Sequence, residues 1–232
     1  MSLERAPSLD KIPFSVYDFF AYLSSGTILL ATADYIMGLG LLQQDKVGPV
    51  FAVFLVVLAY VCGHIVAHFS SGLLEHIALG RILKRPNALL LGEAPRRGVA
   101  WAFRNYCRPL PTVTIERVKK QLESRGVAAM GEAAFLHAYA LVTANTERQQ
   151  RLDSFRNQYG FHRNMCFAFG VSAVTIAVAH LIGPHPVRWR WAIMSAGVSV
   201  ALFYRYLKFF RQYSYELFLR YAEWPPSGTQ KE

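Results

Sequence analysis

The stretch PVFAVFLVVLAYVCGHIVAHF, residues 49–69, carries no formally charged side chain over 21 positions. At about 1.5 Å rise per residue, a helix of this length matches the ~30 Å hydrocarbon core of a bilayer. A soluble helix turns one face to water and seldom stays uncharged for so long. The run therefore predicts a transmembrane helix over 50–69. Three further blocks of similar length flank it, at 19–42, 163–183 and 189–207. NMCFAFGVSAVTIAVAHLIG, residues 164–183, is also uncharged, and 19–42 holds one acid, Asp34. The last block opens on Trp189 and Trp191 and closes near Tyr204 and Tyr206, an aromatic belt at each interface. The predicted fold class is all-α: a polytopic membrane protein of four transmembrane helices with a cytoplasmic helical insertion between the second and third.

Charge sets the expected orientation. The chain has 232 residues and a formal net charge of +10, and 15 of its 25 Lys and Arg lie between Glu75 and Arg163. Basic residues favour the cytoplasmic side, so both termini and the 75–162 segment are expected there, with anionic headgroups as neighbours. A nucleic-acid polymer is not expected as a partner. The first block is not read as a signal peptide, because a polar leader with two prolines precedes it and no small-residue cleavage site closes it. Cys62, Cys107 and Cys166 have no C-x-x-C spacing and imply neither a disulfide framework nor a zinc ribbon.

These signals divide the chain into a cytoplasmic arm (1–18), a first transmembrane hairpin (19–74), an insertion that senses a ligand or binds a partner (75–162), a second hairpin (163–207), and an interfacial helix with a disordered tail (208–232). SSGLLEHIALGRILKR extends the second span past the membrane until Pro86 stops it. A proline-rich loop with a short helix near GVAWAFRNY follows, then a helix IERVKKQLESR capped by Thr114 and ended by Gly126. From Ala128 a helical pattern runs to Tyr159 and into the third span, with a polar gap around Glu147. After the fourth span, KFFRQYSYELFLRYAEW either lies in the headgroup layer or packs on the insertion.

The intramembrane polar residues are the candidate functional groups. His64, His68, Gly72 and His76 follow at four-residue steps, beside a line of small residues, Ala59, Gly63, Ala67 and Ser71. Small residues at that spacing let another helix approach closely, so this face is expected to meet protein or water rather than lipid. His64 and His68 admit three readings: imidazoles hydrogen-bonded between helices, a water-filled path or pH-sensitive gate, or a metal or haem site with His162 as third ligand. Asp34 matches Thr175, Ser195 and Ser199 in depth. It is either bonded to those hydroxyls inside the bundle or one of a ring of carboxylates lining a cation pore in an oligomer. Arg151, Arg156 and Arg163 can hold a phosphate-rich ligand or lipid headgroups, or can belong to an ordinary solvated face. No Walker A, GxGxxG, GxSxG or kinase signature occurs, so no catalytic residue, metal or cofactor is assigned and an enzyme is not expected.

Three segments, FSVYDFFAYLSSG (14–26), GHIVAHFSSGLLEHI (63–77) and FRNQYGFHRN (155–164), resemble segments of an uncharacterised bacterial inner-membrane family. The layout is similar to small helical transmembrane effectors, of channel type, from antiviral defence operons. That resemblance implies the bacterial inner membrane, a homo-oligomer, and a nucleotide messenger or soluble protein acting on the insertion. It carries over no ligand-contacting residue. The resulting expectation is an oligomeric effector or ion channel gated through the insertion. The alternatives are a membrane scaffold that recruits a soluble partner and a histidine-metal or haem membrane enzyme.

Overall fold

The computed structural model describes residues 16–41, 48–129, 131–144, 146–183 and 187–224, and every regular element among them is helical. The arm before residue 16 and the tail after residue 224 lie outside the described residues. Helix α1 covers Val16–Met37 and α2 covers Pro49–Ser70. Pro49 sits in the first turn of α2, where its missing N–H leaves no bond unmade. The chain continues from α2 without a break as a π-helical segment over Ser71–Leu83. Lys84, at φ 68°, ends it, and Pro86 starts the next helix rather than closing this one. Short helices α3 (Pro86–Leu90) and α4 (Val99–Ala102) follow. Then come α5 (Thr112–Glu123), α6 (Gly131–Thr143), α7 (Thr146–Ile182) and α8 (Trp189–Ala222).

Three helical stretches, Phe19–Met37, Pro49–Leu90 and Gln149–Ile182, are long and apolar enough to cross a membrane. Their outward side chains are those a bilayer accepts and water does not: Val50, Phe54, Val57, Leu181 and Ile182 are all exposed. The chain is thus an all-helical protein of the membrane class. The fourth expected span is the first half of α8. It exposes Ile193, Met194, Val198 and Val200, but Arg190, Arg205 and Lys208 bracket it and dilute its apolar character.

In the bundle α1 packs on α2 and α7, and α7 packs on α8. The α1–α2 crossing is made by glycine. A β-carbon on Gly26 would collide with the Ala59 carbonyl, and one on Gly63 with the Tyr22 carbonyl. Of the line of small residues read from the sequence, Ala59 and Gly63 are buried against α1. At the distal end Ile176, Ala179 and Val187 form a small core with Ile36.

At the other end sits a helical cap. Val118 and Leu122 of α5, Ala134, Ala138 and Val142 of α6, and Leu152 of α7 close over Tyr213, Leu217, Phe218 and Tyr221 of α8. The second half of α8 therefore packs on the insertion, the second of the two positions its amphipathic pattern allowed. A collar of Leu79, Leu83, Leu89, Tyr106, Tyr206 and Leu207 joins cap to bundle. The long pattern expected from Ala128 to Tyr159 is two helices, α6 and the start of α7, divided at the polar stretch.

Candidate functional site

The densest polar cluster lies where the cap meets the bundle, between α2, the π segment and α7. Ser70 Oγ donates to Asn164 Oδ1 at 2.8 Å, and both residues are buried. Arg163 Nε and Nη2 reach the same oxygen at 3.3 and 3.2 Å. Arg163 Nη1 forms an ion pair with Glu75 Oε1, and Ser71 Oγ donates to Glu75 Oε2 at 3.4 Å. The pair is mostly hidden, with side-chain exposures of 15% for Arg163 and 26% for Glu75. A charged pair that is shielded and hydrogen-bonded on both sides fixes register between two helices.

The π segment begins at this cluster. Its i→i+5 bonding is rare beyond a single turn and occurs often at functional positions. A π helix has more residues per turn than an α-helix. This segment carries Glu75, whose carboxylate meets Arg163.

The three candidate arginines each face a carboxylate. Arg151 Nε lies 3.2 Å from Glu216, and Arg156 Nη2 lies 3.1 Å from Asp153. Glu216, on α8, is buried and also takes Arg220 at 2.9 Å, so Arg151 ties the start of α7 to the end of α8. In this arrangement Arg151 and Arg163 hold helices together, while Arg156 pairs within α7.

His64 and His68 are exposed on the outside of the single chain. The His64 ring lies 4.1 Å from that of Tyr22 and 4.6 Å from that of Tyr60. His162 is half-buried on α7, with Nδ1 2.7 Å from the Gln158 carbonyl and its ring 5.0 Å from Phe209. Among the described residues no three His, Cys, Asp or Glu side chains converge as a metal site, and His64, His68 and His162 are not brought together.

Asp34 is buried in the last turn of α1, and its Oδ1 accepts the Leu41 N–H at 2.8 Å. Two of the three hydroxyls expected near it, those of Thr175 and Ser199, have other partners. Thr175 Oγ1 donates to the carbonyls of Val171 and Ser172 in its own helix. Ser199 Oγ donates to the Cys166 carbonyl at 2.8 Å, linking α8 to α7, and Ser195 is buried on α8. A further inter-helix hydroxyl bond joins Thr32 to Ser172 at 2.8 Å, a pair that sequence reasoning missed. Ser70 and Asn164 were missed as well. Ser70 stands at the edge of the small-residue line and Asn164 at the head of the uncharged third block, and a polar residue at either place was the available signal.

A comparison with models of protein families, with curated proteins and with solved structures finds no match for this chain.

Proposed function

We propose that the chain is a four-span membrane protein with both termini and the cap in the cytosol, acting as an oligomeric effector or ion channel controlled through the cap. One observation carries this reading. Helices α7 and α8, 37 and 34 residues long, run unbroken from the bundle into the cap and form part of its core. A ligand or partner that shifts α5 and α6 must move helices that continue into the lipid. The concentration of basic residues between Glu75 and Arg163 supports the orientation. The resemblance supports the bacterial inner membrane and a role in antiviral defence.

The test is single-channel recording of the full chain in planar bilayers. Stepwise currents are expected, and Asp34→Asn is expected to change their cation selectivity. The amide still accepts the Leu41 N–H, so the fold survives while the charge is lost. Unchanged currents in that variant remove Asp34 from the path. Silence under every condition, together with co-purification of a stable soluble protein, favours the scaffold reading. That reading has support in Val113 and Leu136, apolar and exposed on cap helices.

A further inference from the structure

The loop over 94–115 contains four arginines and no Asp or Glu, and it lies against α8 just below the apolar half of that helix. Arg104 and Arg108 of the loop and Lys208 and Arg211 of α8 line adjoining grooves of about 590 and 890 Å³, walled also by Trp101 and Tyr204. Among the described residues none of the four cations has a carboxylate within ion-pair distance. The candidate arginines at 151, 156 and 163, by contrast, each face a carboxylate.

Arg211 is the centre of this groove. Its Nη2 donates to the Arg108 carbonyl at 2.9 Å, which ties the loop to α8. Its Nε is buried and has no hydrogen-bond partner. Burial, and to a lesser degree the neighbouring Arg108, press against its charge, and the Tyr215 ring 5.6 Å away offsets part of that. A buried donor on a guanidinium beside a second guanidinium is costly unless an anion answers it. Trp101, 91% exposed, and Tyr204, 50% exposed, flank the opening. Exposed aromatic rings beside cations, at the point where a helix passes from apolar to basic, are the chemistry of the headgroup layer.

We propose that the groove between the 94–115 loop and α8 binds a phosphate ester, held by Arg104, Arg108, Lys208 and Arg211. This names a ligand class for the control site of the proposed function, but its binding test does not depend on a pore. The phosphate comes either from an anionic phospholipid or from solution, and the experiment separates the two sources. The full chain is placed in nanodiscs of phosphatidylcholine alone or mixed with phosphatidylglycerol, and retained lipid is read by native mass spectrometry. Inorganic phosphate is titrated into the phosphatidylcholine sample.

Retention of phosphatidylglycerol by the wild type, cut at least tenfold in an Arg104→Gln/Lys208→Gln double variant and unchanged in Arg117→Gln, establishes the lipid source. The same variant pattern for inorganic phosphate establishes the soluble source. Both altered side chains are exposed, so the fold is expected to survive, and circular dichroism checks it. Binding that ignores the double variant in both arms overturns the proposal. Intact binding with no effect on conductance would count against cap control and leave the groove standing.

Discussion

At Gly63 the backbone of α2 meets the backbone of α1, and no side chain fits between them. Gly63→Ala is expected to separate the two helices and to broaden or abolish the monodisperse peak in detergent. Gly72→Ala is the control: open space surrounds that position, and Ala raises helix propensity by about 1 kcal/mol, so stability should hold or rise. Tyr221 offers a second contrast. Its hydroxyl is buried without a partner, so Tyr221→Phe should stabilise the cap by on the order of 1 kcal/mol in thermal melts. At the Glu75–Arg163 pair, Glu75→Gln leaves a shielded guanidinium unanswered. A loss of about 2 kcal/mol is expected, and a double-mutant cycle with Arg163→Gln should recover part of it. The glycine contact could be anticipated from sequence, because small residues at four-residue steps have one geometric use. The inter-helix arginine pairings could not. Glu216 lies far along the chain from Arg151, and Glu75 reaches Arg163 from a π segment that spacing rules do not anticipate, whereas Asp153 sits only three residues from Arg156.

The helices of the bundle were legible because a run such as 49–69 has a single stable home for its uncharged surface. The cap was less so. Helices α5 and α6 are short, and what buries them is the far end of α8, roughly 80 to 100 residues on in the sequence. The amphipathic pattern of 208–224 announced an apolar face without naming its partner. The cap core holds Tyr213 and Tyr221 and the adjoining collar Tyr106, and burial pushes all three hydroxyls above the usual phenol range. A folded pKa raised above the unfolded value near 10 gives stability that is complete below about pH 10 and fades as pH climbs toward the folded values. The cap should therefore open at alkaline pH, with tyrosinate absorbance rising in one cooperative step. Cys107, in the collar beside Tyr106, reports on the joint between cap and bundle. Its buried thiol is held above its ordinary range, so maleimide labelling should be slow until the collar opens.

For the whole molecule, composition announced a membrane protein, and three helices have the length and apolarity to cross. The first half of α8 has a weaker claim because it serves two environments, with exposed Ile193 and Val200 above and the collar residues Tyr206 and Leu207 below. Cysteines introduced at exposed Arg117 and at exposed Arg188 decide its orientation. Labelling by an impermeant maleimide in intact cells is expected at 188 and not at 117. The reverse, or labelling at both, would redraw the topology.

The place of Arg163 along α7 has a mechanical consequence. Counting at 1.5 Å per residue, it stands ~25 Å from the first residue of that helix and ~28 Å from the last. A rod pinned near its middle is a balanced lever. A tilt of about 5° at the cap would swing the opposite end by roughly 2 Å the other way, comparable to the helix shifts through which packed proteins switch.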